Sequence, residues 1–175
     1  MNDRKLNLII GWVCLLISFI VYYLTAEPTV GFWDTGEYIT TSAKLQVGHP
    51  PGAPLYQMLG AIFSIFAFEK ENIGFIMNLM SGFASALAIS FMYWSIILIL
   101  ILKKITDTSE ASINKQILIS GSALVGSLAF AFTDTFWFSA VETEVYAMAT
   151  LIMAVIFYLG LRWEADMHNS RGNKW

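Results

Sequence analysis

The chain is short of charge, cysteine and histidine, and each shortage excludes something. Of its 175 residues only 13% are charged, and 57% are hydrophobic, whereas soluble domains carry about 25% charge. With a mean hydropathy of +0.62, this composition excludes a freely soluble domain and indicates a polytopic membrane protein. Cys14 is the single cysteine and lies in an apolar run, so no internal disulfide and no cysteine-built metal site can form. The two histidines, His49 and His168, are far apart and have no metal-ligand spacing. Neither a P-loop nor a dinucleotide-binding glycine motif occurs. No basic patch is present, so a nucleic-acid partner is not expected.

Long apolar runs are what the chain does have. Residues 6–26 follow Arg4 and Lys5 and are long enough to cross a bilayer, which takes about 20 residues. The run is long for a cleaved signal peptide, lacks a small-x-small site and ends in Tyr22-Tyr23, so it reads as a retained first span. Residues 75–102, 117–132 and 145–161 read as three more spans. Residues 55–68 are too short to cross comfortably and suit an interfacial or re-entrant helix.

The basic residues choose between topologies. If 55–68 does not cross, Arg4, Lys5, Lys103, Lys104, Lys115, Arg162, Arg171 and Lys174 are all cytoplasmic, which is 8 of the 10 basic residues. If it does cross, three are inside and seven outside. The positive-inside rule selects the first arrangement. The expectation is therefore one membrane domain over 1–175 with four crossings, both termini cytoplasmic, in the cell inner membrane. Residues 27–74 form a first outer loop with interfacial helices, 133–144 a second, and 162–175 a cytoplasmic tail. The chain reads as the amino-terminal part of a longer protein. Two small-residue stripes, Gly82/Ala86/Ser90 and Ala123/Ser127/Ala131, mark helix faces suited to close packing.

The first outer loop holds Asp34 and Glu37. Spaced i and i+3, they share one helix face. Asp-x-x-Glu is also a helix start, with Asp34 as N-cap and Glu37 reaching back to the backbone. The chemical reading is general base catalysis at the membrane surface. The two can coexist, with Glu37 capping and Asp34 pointing into a cavity. His49, before Pro50-Pro51, reads either as a turn residue or, with Lys44, as a donor to phosphate. Glu142 and Glu144 flank the mouth of the last span. They either mark the water boundary or share a cavity with Asp34, where one could orient an acceptor, bind a cation or stabilise charge. Trp33, Trp137, Phe138 and Tyr146 suit an interface belt, or stacking on a sugar or lipid chain.

Three stretches carry a resemblance. They are Phe32-Trp33-Asp34-Thr35-Gly36-Glu37, then Gly48-His49-Pro50-Pro51-Gly52-Ala53-Pro54-Leu55-Tyr56, then Ala140-Val141-Glu142-Thr143-Glu144-Val145-Tyr146-Ala147. Together they resemble the start of a large bacterial family of multi-pass membrane proteins known by a domain-of-unknown-function label. That family is similar to eukaryotic transmembrane protein O-mannosyltransferases, within the glycosyltransferase-C superfamily. The resemblance implies an all-α membrane fold with more helices than this chain holds. It implies transfer of a sugar, for which mannose is a candidate, from a polyprenyl-phosphate carrier to a protein or glycan hydroxyl on the outer face, typically with inversion. By the same resemblance Asp34 is the catalytic acid and Glu37 the second acid. His49, Lys44, Glu142, Glu144, Trp33 and Tyr56 are the substrate-binding candidates. The expected partners are the lipid-linked sugar, the acceptor and membrane lipid. The motifs name no certain cofactor, and metal dependence stays open. Paired acids are compatible with a divalent cation, although the sequence displays no full ligand set.

Two other readings stand beside this one. A transporter or channel module would carry acids near mid-membrane, and it would often show inverted repeats, which are not visible. A non-catalytic assembly subunit would use its outer loops to dock a partner.

Overall fold

The computed structural model describes residues 3–102 and 113–167. Lys103, Lys104, most of the polar linker, His168, Arg171 and Lys174 lie outside the described residues. Among the described residues all regular structure is helical: α1 (Asp3–Thr25), α2 (Thr35–Ala43), α3 (Pro54–Ser64), a 3-10 turn (Lys70–Asn72), α4 (Ile73–Leu102), α5 (Ile113–Ala131), α6 (Asp134–Val141) and α7 (Val145–Asp166). The all-α membrane class follows from the long apolar runs, as expected.

Among the described residues three segments are long and apolar enough to cross a membrane: Arg4–Thr25, Lys70–Leu102 and Val145–Asp166. The sequence reads 117–132 as a further span, and there α5 and α6 form a bent pair with a 65° change of direction that counts as a fourth candidate span if the pair is taken as one. The cause is local. Thr133 adopts an extended backbone (φ −69°, ψ 143°), and its hydroxyl donates to the Phe130 carbonyl at 2.8 Å. The α5 ladder therefore stops. Asp134 opens a new helix, where an acid in the first turn suits the helix dipole. The second loop predicted at 133–144 is thus mostly the helix α6. The helix in the 55–68 stretch is the 11-residue α3, which starts at Pro54 and is about 16 Å long at 1.5 Å per residue, a length that suits an interfacial element.

α4 is the central helix, packed by α1, α5, α6 and α7. Small residues allow the approach. A Cβ on Gly82 would sit 3.3 Å from the Ala140 carbonyl oxygen and 3.4 Å from Tyr22 Cβ, so α1, α4 and α6 meet there. One turn pair further, Ser90 Oγ donates to the Gly11 carbonyl at 2.8 Å. All six stripe residues are buried, but Gly82 and Ser90 face α1 and α6. Hydrogen bonds between helices add to this packing, because apolar burial drives little association in lipid. Tyr22 Oη donates to the Ala131 carbonyl at 2.8 Å. Asn7 Oδ1 accepts from Tyr93 at 3.1 Å and from Ser120 at 2.8 Å.

α2 and α3 lie across the end of the bundle where α1 ends and α4 and α7 begin, here the acidic end. Ile39, Tyr56, Met77 and Met80 form its core. Gly60 permits the α2–α3 contact, since a Cβ there would lie 2.8 Å from Ser42 Cβ and 2.6 Å from Met77 Cε. The opposite face of α3 exposes Leu55, Met58 and Ile62, a stripe at helical spacing.

Candidate functional site

The acidic end is built around the start of α2. Trp33 precedes it with φ +57°, a left-handed conformation that is costly for a bulky residue. Its side chain is 89% exposed at the mouth of a cleft. Asp34 occupies the N-cap position with φ −82° and ψ 1°, yet its side chain makes no cap hydrogen bond. A capping side chain normally rides on an extended N-cap backbone, and this ψ does not provide one. The carboxylate is therefore not consumed by the helix.

Glu37 does not reach back to cap the helix either. One carboxylate oxygen accepts the His49 backbone N–H at 2.6 Å, and the other meets His49 Nδ1 at 2.8 Å. Gly48 makes room, because a Cβ there would lie 2.7 Å from Glu37 Oε1. The following turn closes with the Gly52 N–H donating to the His49 carbonyl at 2.9 Å, with Gly52 at φ +76°. The His49 backbone N–H, then its ring, holds the Glu37 carboxyl below the usual range. Hydrogen bonding to Glu37, followed by its charge, raises the His49 pKa. The pair is half exposed and favours imidazolium over neutral imidazole.

A cleft of about 330 Å³ lies beside this pair, lined by Trp33, Asp34, Tyr38, Phe138, Ser139, Glu142, Glu144, Val145 and Tyr146. Three carboxylates thus share one cavity. Gly31 accommodates Glu142, whose Oε2 would be 2.6 Å from a Cβ at that position. Burial, then the like charge of Glu27, raises the Glu142 pKa, and the Phe32 N–H partly offsets this. Burial also raises Glu144, and the charges of Asp34 and Glu142 add to it. Tyr38 is raised by burial and then by Glu144 and Asp34. Acids of this kind hold protons more readily than water-exposed ones.

The structure brings Asp34, Glu142, Glu144 and Trp33 into the cleft, with Glu37 and His49 at its side. Lys44 caps the far end of α2, about 15 Å from Asp34 at the helical rise, and is not drawn in. Tyr56 is buried, its hydroxyl 3.4 Å from Ser81 Oγ. Its ring packs edge-on to Tyr38 with centroids 5.6 Å apart, so it backs a cleft residue from behind. Tyr38 and Ser139 were not singled out from sequence. Only the helical spacing of Tyr38 from Asp34 could have pointed to it.

Asp34, Glu37 and His49 each offer one ligand atom, all within 4.8 Å of one another. Oxygen and imidazole donors suit a divalent ion such as Mn²⁺ or Zn²⁺. Both Glu37 oxygens already serve His49, however, so a cation would have to displace the ring proton and turn the His49 ring.

A family model described as Protein O-mannosyl-transferase TMEM260 N-terminal domain matches residues 34–175. Protein O-mannosyl-transferase tmem260 of Dictyostelium discoideum is 27% identical over 153 residues, covering 85% of this chain and 17% of the relative. Protein O-mannosyl-transferase TMEM260 of Mus musculus is 27% identical over 147 residues, covering 82% of this chain and 18% of the relative. The chain thus spans less than a fifth of either relative's length. No solved structure matches it.

Proposed function

We propose, from the premise that this chain belongs to the family of the Protein O-mannosyl-transferase TMEM260 N-terminal domain, that it supplies the acidic catalytic pocket of a membrane glycosyltransferase. In this reading the enzyme moves a mannosyl group from a polyprenyl-phosphate carrier to a protein or glycan hydroxyl at the outer face of the membrane. Two relatives bear the name protein O-mannosyl-transferase, which supports the reaction class. Among the described residues Arg4, Lys5, Lys115 and Arg162 lie at the end opposite the acidic one, against Lys44 and Lys70 near it, and this excess supports the orientation.

The observation that carries the reading is the freedom of the Asp34 carboxylate. It stands at the N-cap without a cap bond, in a cleft with Glu142 and Glu144, while Glu37 is fully engaged by His49. Asp34 takes the proton of the acceptor hydroxyl. The acceptor oxygen attacks the anomeric carbon, the bond from that carbon to the phosphate oxygen breaks, and the lipid phosphate leaves. Glu37 holds His49 as imidazolium, which donates to the departing phosphate through a charge-assisted hydrogen bond. Glu144, across the cleft, orients the acceptor. Trp33 offers an apolar face to the sugar or the lipid.

Among the described residues the acids lie in loops or in the first or last turn of a helix, and none sits midway along the three long spans, which favours surface chemistry over a transport path. The test is Asp34→Asn in the full chain, assayed with polyprenyl-phosphate mannose and a threonine-containing peptide. General base catalysis is worth about 10²–10⁴-fold, so transfer should fall at least about 100-fold. Retained transfer would instead support the assembly-subunit reading.

A further inference from the structure

Near the acidic end, α4 carries one amide in an otherwise apolar stretch. Asn78 is fully buried, and a buried amide is costly unless its hydrogen bonds are made. Its Nδ2 donates to two backbone carbonyls, Glu27 at 2.7 Å and Thr29 at 3.1 Å. Carbonyls accept only, so the amide nitrogen must face them and Oδ1 must face the other way. There Oδ1 accepts from the Thr143 hydroxyl, and Thr143 is also fully buried. One side chain thus ties the start of the first loop to the segment joining α6 and α7. The Glu27 N–H closes the ring by donating to the Val141 carbonyl at 3.0 Å. Gly74, one turn earlier on α4, admits the loop closely, since a Cβ there would lie 3.0 Å from the Thr29 carbonyl oxygen. Ser81, three residues after Asn78 and on the same helix face, accepts the Glu144 N–H at 3.4 Å.

The local backbone explains why this matters at the cleft. Glu142 (φ −123°, ψ 160°) and Glu144 (φ −133°, ψ 143°) are both extended. Side chains alternate sides along extended backbone. With Thr143 pointing down onto Asn78, both flanking acids point up, and both line the cleft. On the other arm, the loop leaves Asn78 at Thr29 and reaches Asp34 five residues later.

We propose that Asn78, through Thr143, is a positioning residue that sets the spacing of Glu144 from Asp34 across the cleft. The proposal rests on the catalytic reading of the cleft given above. It touches no substrate and acts only through the two loops. The raised proton affinity of Glu144, to which Asp34 contributes, is a reporter of the spacing.

The test uses the full chain in nanodiscs, with polyprenyl-phosphate mannose and a threonine-containing peptide. Thr143→Val is nearly isosteric and removes the hydroxyl. Thr143→Ser retains it, and Asn78→Leu removes the whole clamp. Thr143→Val should lower kcat at least about tenfold with little change in donor KM. It should also shift the acid limb of the kcat profile to lower pH, because Glu144 moves away from Asp34. Thr143→Ser should restore both. Independently of catalysis, spin labels at Val30→Cys and Tyr146→Cys, in a Cys14→Ser background, should give a distance distribution that broadens in Thr143→Val and Asn78→Leu and narrows again in Thr143→Ser. An unchanged distribution would overturn the inference. So would a broadened distribution with kcat and the acid limb intact, or a loss of activity equal at every pH. The catalytic reading is judged separately by Asp34→Asn in the same assay. Activity surviving there removes that reading, while the distance measurement still decides the clamp.

Discussion

At the residue scale, the two acids of one short motif are sent to different tasks. Glu37 is bound at both oxygens by His49, and Asp34 keeps its carboxylate free of the helix. The pH behaviour of the pair follows with definite signs. The His49 pKa is raised above its ordinary 6.5, so its share of the stabilisation is complete below that value and is lost as pH rises through the folded-state value. The Glu37 pKa is lowered from 4.5, so its share is complete above that value and is lost as pH falls through the folded-state value. The 49–52 turn is therefore held best in the window between. NMR titration of ¹³C-imidazole-labelled protein, with His168→Gln for assignment, should find His49 above 6.5 and lower in Glu37→Gln. A His49 titration indifferent to Glu37→Gln would contradict the pairing. A second prediction concerns metal. Because Glu37 already serves His49, the imidazolium and not a divalent ion is expected to meet the leaving phosphate. Transfer by the full chain should then be unchanged by EDTA, and a loss restored by Mn²⁺ would show that the Asp34–Glu37–His49 triad takes a cation instead.

Much of this was open to sequence reasoning. Asp34, Glu37, His49, Glu142, Glu144 and Trp33 were singled out from residue type and placement, and they gather at one end of the bundle. Lys44 is close to the motif in number but sits at the far end of α2. Tyr56 was drawn in by its place in a motif and packs into the core. Thr143 escaped as one residue of a short link between helices, and Asn78 because one amide among a few serines leaves the hydropathy pattern of α4 intact. The partners of Asn78 lie 49, 51 and 65 residues away, which no local spacing reveals.

At the element scale, glycines set how closely the pieces of the acidic end approach. Gly60 is enclosed by Ser42 and Met77, so a β-branched side chain there must push α3 away from α2. Overpacking of this kind costs about 1–3 kcal/mol. Gly60→Val should lower the Tm of the detergent-solubilised chain, and an unchanged Tm would mean that α2 and α3 are not tightly joined. The bend between α5 and α6 was the least legible element. Thr133 and Asp134 read as a loop marker, yet they end one helix and start the next within the same apolar run. Hydropathy records how apolar a run is, not a change of direction inside it. The long spans were easier, because a window of about 20 apolar residues has few alternatives.

At the scale of the whole molecule, α4 is the post around which two short helices and two loops are arranged, and the cleft exists only because both loops reach it. The exposed aromatic and aliphatic residues of that end, Trp33, Phe32 and the outer stripe of α3, suit a surface at the lipid headgroup level, where a carrier lipid could present its phosphate. The account needs that end to face away from the cytoplasm. Cysteine accessibility tests this most directly, using Asp34→Cys in a Cys14→Ser background of the full chain in intact cells. A membrane-impermeant maleimide added outside should label position 34 without permeabilisation. Labelling only after the cytoplasmic side is opened would contradict the account.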